Sequence, residues 1–146
     1  MSFAVGVNVL LYASDTASPH AARAADFLAE RASGREVFCL AWPTVLSYLR
    51  VVTHPAILAN PLSPDRAMDN VEALVRLSHV RLLSEEEGFW EIYREVAREV
   101  PVRGNLVPDA HLAALLRQHG IRTLYTNDSD FRKFSFLDVR NPFAAG

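Results

Sequence analysis

Three aspartates stand where chemistry could be done. Asp109 lies in "NLVPDAHLAALL" (105–116), in the first turn of a predicted helix, and Asp128 and Asp130 lie in "YTNDSDF" (125–131), directly after a predicted strand. Each has a purely structural explanation on its own. An aspartate in a first helical turn complements the helix dipole, and Asn, Asp and Ser favour turns. Gathered at one edge of a sheet, they describe a site for a hard divalent cation, because clustered carboxylates repel one another unless protons or an ion neutralise them. Magnesium or manganese would serve, and could activate water for attack on a phosphodiester. A fourth feature is "VGVNVLLYA" (5–13), where Asn8 interrupts an apolar run and Gly6 stands where such chemistry would use a charge.

The elements that must position these residues alternate along the chain. Residues 3–12 read as a first, buried strand. Pro19 to Arg31 carries apolar residues at helical spacing, with Gly34 as a stop. "VFCLAW" (37–42) reads as a second strand. Pro43 then suits a first helical turn, and Thr44 to Val52 continues the helix until "THP", where His54 ends it. Ser63 predicts a cap with Pro64 at the first helical position, for a helix to Leu77. "VRLL" (80–83) is a third strand. Ser84 with Glu87 predicts a capping box opening a helix through Arg98. Pro108 to His119 is a helix closed by Gly120, "RTLYT" (122–126) a fourth strand and "LDVRN" (137–141) a fifth. Strands separated by helices imply crossovers and a mostly parallel sheet of four to five strands, flanked by helices on both faces. Ligands of such sheets gather outside the carboxyl ends of the strands. Asn8, Ser47, Ser84, Asp109 and "TNDSDF" all fall there.

Composition bounds the possibilities. The 146 residues, half of them apolar, suit a single domain spanning 1–146 with a real core. A net charge of −2 gives no global pull toward nucleic acid or membrane, though a local basic groove is compatible with it. A lone cysteine, Cys39, forms no internal disulfide and suits a reducing compartment. With no apolar run of ~18 residues and no basic leader, the expectation is a cytoplasmic chain without a membrane span.

"VNVLLYA", "LRVVTHP" (49–55), "NLVPDAHLAAL" and "TNDSDF" together resemble the PIN domain of VapC-type toxins from bacterial toxin–antitoxin modules, over Val5 to Pro142. The resemblance implies a PIN-like three-layer α/β fold and a homodimer. It implies Mg²⁺- or Mn²⁺-dependent endoribonuclease activity on RNA, neutralised by a cognate antitoxin. It also implies four acidic positions around the metal, with Asp109 and Asp128 as ligands, Asp130 beside them and Asn8 bonded to the carboxylates or to loop backbone. Two of the four acids are absent: Gly6 stands where the first strand carries an aspartate, and Ser47 where the next motif carries a glutamate. Losses even in the outer shell of a metal site cost ~10–100-fold, so the expectation is an impaired nuclease. The alternative is a catalytically dead PIN-like protein that binds antitoxin or RNA.

Other residues carry weaker signals. Arg50, Arg103 and Lys133 are candidate phosphate contacts, and Trp42 could stack a base or pack at an interface. His111 faces away from Asp109, and His20 and His79 show no partner in the sequence. Residues 54–77 hold more apolar side chains, among them Ile57, Leu58, Leu62, Met68, Val71, Leu74 and Val75, than one core-facing helix needs. That surplus suits a groove for an amphipathic antitoxin helix or a dimer contact. The resemblance also has an antitoxin arginine entering the acidic site, and engagement there should weaken without acids at 6 and 47. A small phosphotransfer receiver does not fit, since "VGVN" lacks its acidic pair and Lys133 is the only lysine.

Overall fold

The computed structural model describes residues 1–144. In chain order the elements are β1 (Ser2–Val5), α1 (Val7–Ser14), α2 (Ala21–Ala32), β2 (Val37–Ala41), α3 (Trp42–Val52), α4 (Pro64–Val75), β3 (Val80–Leu83), α5 (Phe89–Glu99), α6 (Leu106–Gln118), β4 (Thr123–Tyr125), a 3-10 turn (Ser129–Lys133) and β5 (Asp138–Arg140). The strands form one all-parallel sheet in the order β3-β2-β1-β4-β5. The α/β fold read from the alternation of elements is therefore the one observed.

Side-chain alternation along the strands builds three layers. Phe3, Val5, Phe38 and Leu40 point to one face, where α1 to α4 cover them. Ala4, Cys39, Ala41 and Leu124 point to the other, under α5 and α6. Helix α6 is buried on nearly every side, with Ala110 and Leu112 through Leu116 all in the core. That explains its unbroken "LAALL", since a helix enclosed all round needs no polar face. No helix among the described residues is long and apolar enough to cross a membrane.

The structure corrects the first predicted strand. Strand β1 ends at Val5, Gly6 is extended (φ −77°, ψ 162°), and Val7 opens a helix. A short continuous apolar run fits a buried strand and a buried helix equally well. Burial decides here, because Val9 and Leu10 enter the core beside α2 and α3. Asn8 thus sits in the first turn of α1, not inside a strand. The predicted Ser84–Glu87 capping box is also absent. The backbone of this loop is held instead by Gln118, which accepts from Glu86 N–H at 2.9 Å and donates to the carbonyls of Glu86 and Glu87. Helix α5 starts after Gly88, whose φ of 84° favours a residue without Cβ. By contrast, Ser63 caps α4 as predicted, its hydroxyl accepting from Arg66 N–H at 3.2 Å, with Pro64 in the first turn.

Candidate functional site

The strand order places a switch point between β1 and β4, since β1 connects onward to β2 on one side and β4 to β5 on the other. Ligand crevices form at such points. Gly6, directly after β1, donates its N–H to Tyr125 at the end of β4 at 2.9 Å. The two strand ends are thereby held side by side, and a cleft of ≈ 120 Å³ opens above them, lined by Gly6, Asn8, Ser47, Asp109, Thr126 and Asp128 among others. Gly6 after β1 and residues from α1, α3, α6 and the segment after β4 meet in it.

One carboxylate oxygen from each of Asp109, Asp128 and Asp130 lies within 4.8 Å of the other two. Asp109 is supplied by the first turn of α6. Asp128 caps the 3-10 turn, its carboxylate accepting from Asp130 N–H at 2.9 Å while its own N–H donates to the Thr126 hydroxyl at 3.1 Å. The Asp109 carboxyl is pushed up to about 6, first by burial and then by the charges of Asp128 and Asp130, with Lys133 pulling weakly the other way. Charge crowding of this kind is what a hard divalent cation relieves, and an all-oxygen donor set fits Mg²⁺ or Mn²⁺.

A PIN domain family model matches residues 7–137. The chain belongs to the PIN domain family. Ribonuclease VapC48 of Mycobacterium tuberculosis is 47% identical to it over 144 residues, with 99% of each chain covered. Ribonuclease VapC37 of the same species is 32% identical over 130 residues, covering 89% of this chain and 90% of that one. Among solved structures, VapC20 of M. tuberculosis, described as a sarcin–ricin loop cleaving toxin, superposes with a TM-score of 0.68 at 21% identity, covering 95% of this chain and 99% of that one. VapBC2 from Rickettsia felis, bound to a DNA fragment from their promoter, gives 0.68 at 17% identity, covering 97% and 98%. These two likenesses are of fold.

In this PIN domain the two positions without acids, Gly6 and Ser47, both line the acidic cleft. Asn8 also lines it, but its side chain bonds neither a carboxylate nor loop backbone. It donates to the Asn127 side chain and accepts from the Thr126 hydroxyl at 3.2 Å. Asn127 in turn reaches the Tyr12 phenol at 3.4 Å. Thr126 and Asn127 were not singled out in the sequence, where they look like ordinary turn residues. Only the pairing of β1 with β4 brings them to Asn8.

The remaining candidates fall elsewhere. Arg50, in the last turn of α3, and Arg103, before α6, are exposed and do not line the cleft. Lys133 does stand by the acids, 3.4 Å from Asp130. Its neighbour Arg132 lines a second, smaller cleft beyond Asp128, and nothing in the sequence set it apart from other surface arginines. Trp42 is 43% exposed at the start of α3. His111 bonds Glu85. The two histidines without a visible partner have one: His20 stacks on Phe143 with ring centroids 4.8 Å apart, and the His79 ring lies 3.0 Å from the Arg31 carbonyl. The surplus apolar residues of 54–77 divide. Leu58 is buried, Ile57 and Met68 are exposed, and Val71 and Leu74 line a groove of ≈ 280 Å³ with Leu10 of α1, Leu28 of α2 and Tyr48 of α3.

Proposed function

We propose that this PIN domain is the toxin of a toxin–antitoxin module, an Mg²⁺- or Mn²⁺-dependent endoribonuclease whose activity is weakened because Gly6 and Ser47 replace acids. The observation that carries the reading is the convergence of Asp109, Asp128 and Asp130 at the sheet's switch point. The relation to Ribonuclease VapC48 over almost the whole chain supports RNA as the substrate. Asp109 and Asp128 would hold the ion, with Asp130 close enough to share it. The ion would supply a water activated for attack and counter the charge that builds on the phosphodiester. Asn8, Thr126 and Asn127 act on the protein side, tying the start of α1 to the loop that carries Asp128.

The partners follow the same reading. A cognate antitoxin laying an apolar helix face into the groove lined by Leu10, Leu28, Val71 and Leu74 suits its apolar lining. A homodimer would cover Trp42 and Leu46, four residues apart on α3 and both exposed. With no membrane-spanning helix among the described residues and one free, buried Cys39, we place its action in the cytoplasm.

The test is cleavage of generic single-stranded RNA with Mn²⁺ by the wild type, Asp128→Asn and Gly6→Asp/Ser47→Glu. The reading expects weak cleavage by the wild type, none by Asp128→Asn, and at least tenfold more by the double variant. Equal rates for wild type and double variant would remove the impairment. A second reading, a binding module without chemistry, draws on the missing charge at positions 6 and 47 of the cleft. It predicts no Mn²⁺ binding by calorimetry at millimolar metal.

A further inference from the structure

We propose that the small cleft beyond Asp128 binds the backbone phosphate adjacent to the one at the acids, with Arg132 as its principal contact, so that it fixes how the RNA strand lies across the site. This rests on the ribonuclease reading above. The two clefts share Thr126 and Asp128, which form the wall between them. A strand with one phosphate in the acidic cleft that continues over that wall meets the second cleft. Its volume is ≈ 70 Å³. A single water needs ~10–15 Å³ of such space, so the cleft holds a handful of heavy atoms. That is room enough for a phosphate group.

The lining is a donor set. Arg132 is exposed and makes no ion pair among the described residues, whereas neighbouring Lys133 is engaged by Asp130 at 3.4 Å. Asn141 spends its side-chain oxygen on Phe143 N–H at 2.8 Å, which leaves its amide N–H groups free to donate. The Ser129 side chain is exposed and also lines the cleft. Asn127 is already committed to Asn8 and Tyr12. A guanidinium, an amide and a hydroxyl around a small polar hollow match phosphate oxygens. No aromatic residue lines the hollow, so it is not built to stack a base. Asp128 opposes an anion there until a divalent ion holds its charge, which couples filling of the second cleft to filling of the first.

The experiment is fluorescence anisotropy of labelled single-stranded RNA on the full chain in Ca²⁺, across a salt series. Arg132→Ala should weaken binding by about fivefold or more and lower the salt slope by about one, Arg132→Lys should recover part of it, and Arg35→Ala, just before the amino-terminal end of β2 and outside both clefts, should change neither. An RNA made neutral at one linkage by a methylphosphonate, scanned along the strand, should lose the same factor at one position with the wild type and nothing further with Arg132→Ala. Unchanged RNA binding by Arg132→Ala would overturn the proposal while leaving the ribonuclease reading intact if Asp128→Asn abolishes cleavage. A wild type that neither binds nor cleaves RNA would remove both. Inorganic phosphate binding that Arg132→Ala loses, with RNA binding unchanged, would assign the cleft to a free anion and overturn the RNA assignment.

Discussion

Gly6 and Thr126 are packed so closely that a Cβ built on Gly6 would stand 2.9 Å from the Thr126 hydroxyl oxygen and 3.1 Å from its Cβ. Thr126 is 2% exposed, and its hydroxyl is bonded to both Asn8 and Asp128 N–H, so it cannot simply swing aside. The backbone of Gly6 is in an ordinary extended conformation. The conflict at this position is one of space alone.

Restoring the acid therefore has a steric consequence. Gly6→Asp should destabilise the metal-free protein by about 1–3 kcal/mol, as overpacking does. Adding Thr126→Ala should relieve part of that cost, with a coupling of about 0.5–3 kcal/mol in a double-mutant cycle. Urea melts of the four proteins measure it, and strictly additive effects would refute the contact.

Crowded acids predict a pH-dependent stability. Burial and the neighbouring charges of Asp128 and Asp130 push the folded Asp109 carboxyl up to about 6, from an ordinary value of 3.8. The fold thus favours the protonated form, and its advantage is full below about 3.8 and lost as pH rises through about 6. Asp109→Asn, which carries no charge, should be more stable than wild type above pH ~6, with the gap shrinking toward pH ~4. Denaturant melts without metal across that range decide it. A gap that does not vary with pH would refute the assignment.

Metal should reverse that penalty. Mn²⁺ in ~100-fold excess over its dissociation constant should add about 2.7 kcal/mol to wild-type stability at neutral pH. Asp128→Asn should lose most of this, and lowering the pH through about 6 should erode it as protons compete at Asp109. Thermal melts with and without Mn²⁺ provide the measurement.

Gly88, which lines neither the acidic cleft nor the smaller one beside it, offers a control. A Cβ there would meet nothing within 4 Å, yet the residue sits at φ 84°. Gly88→Ala should cost about 1 kcal/mol through backbone strain alone and leave Mn²⁺ binding unchanged.

Much of the site could be read from the chain before its fold was known, and the reasons are local. Asp109 follows a proline and precedes an apolar helix, and Asp128 and Asp130 follow a strand, so each could be placed at a carboxyl edge by its own neighbours. Ser63 and Pro64 carry their capping geometry within four residues. What escaped depends on tertiary packing. The run after Gly6 is a helix because the core takes Val9 and Leu10, not because of its pattern. The Ser84–Glu87 box fails because α5 starts only after Gly88, beyond both residues, while Gln118, some thirty residues on, holds the loop ahead of the helix. Thr126 and Arg132 acquire meaning only from what stands beside them.

The central position of β1 has a consequence for synthesis. Its two flanking partners are β2 and β4, and the cleft needs Gly6 and Asn8 from the start of the chain together with Asp128 and Asp130 near its end. Translation at ~5–20 residues per second leaves those first residues waiting for roughly 6–25 s before the last acids are made. A nascent chain is therefore without its acidic centre until residue 130 has been translated. Before that point β1 waits in the middle of a sheet whose site cannot yet assemble.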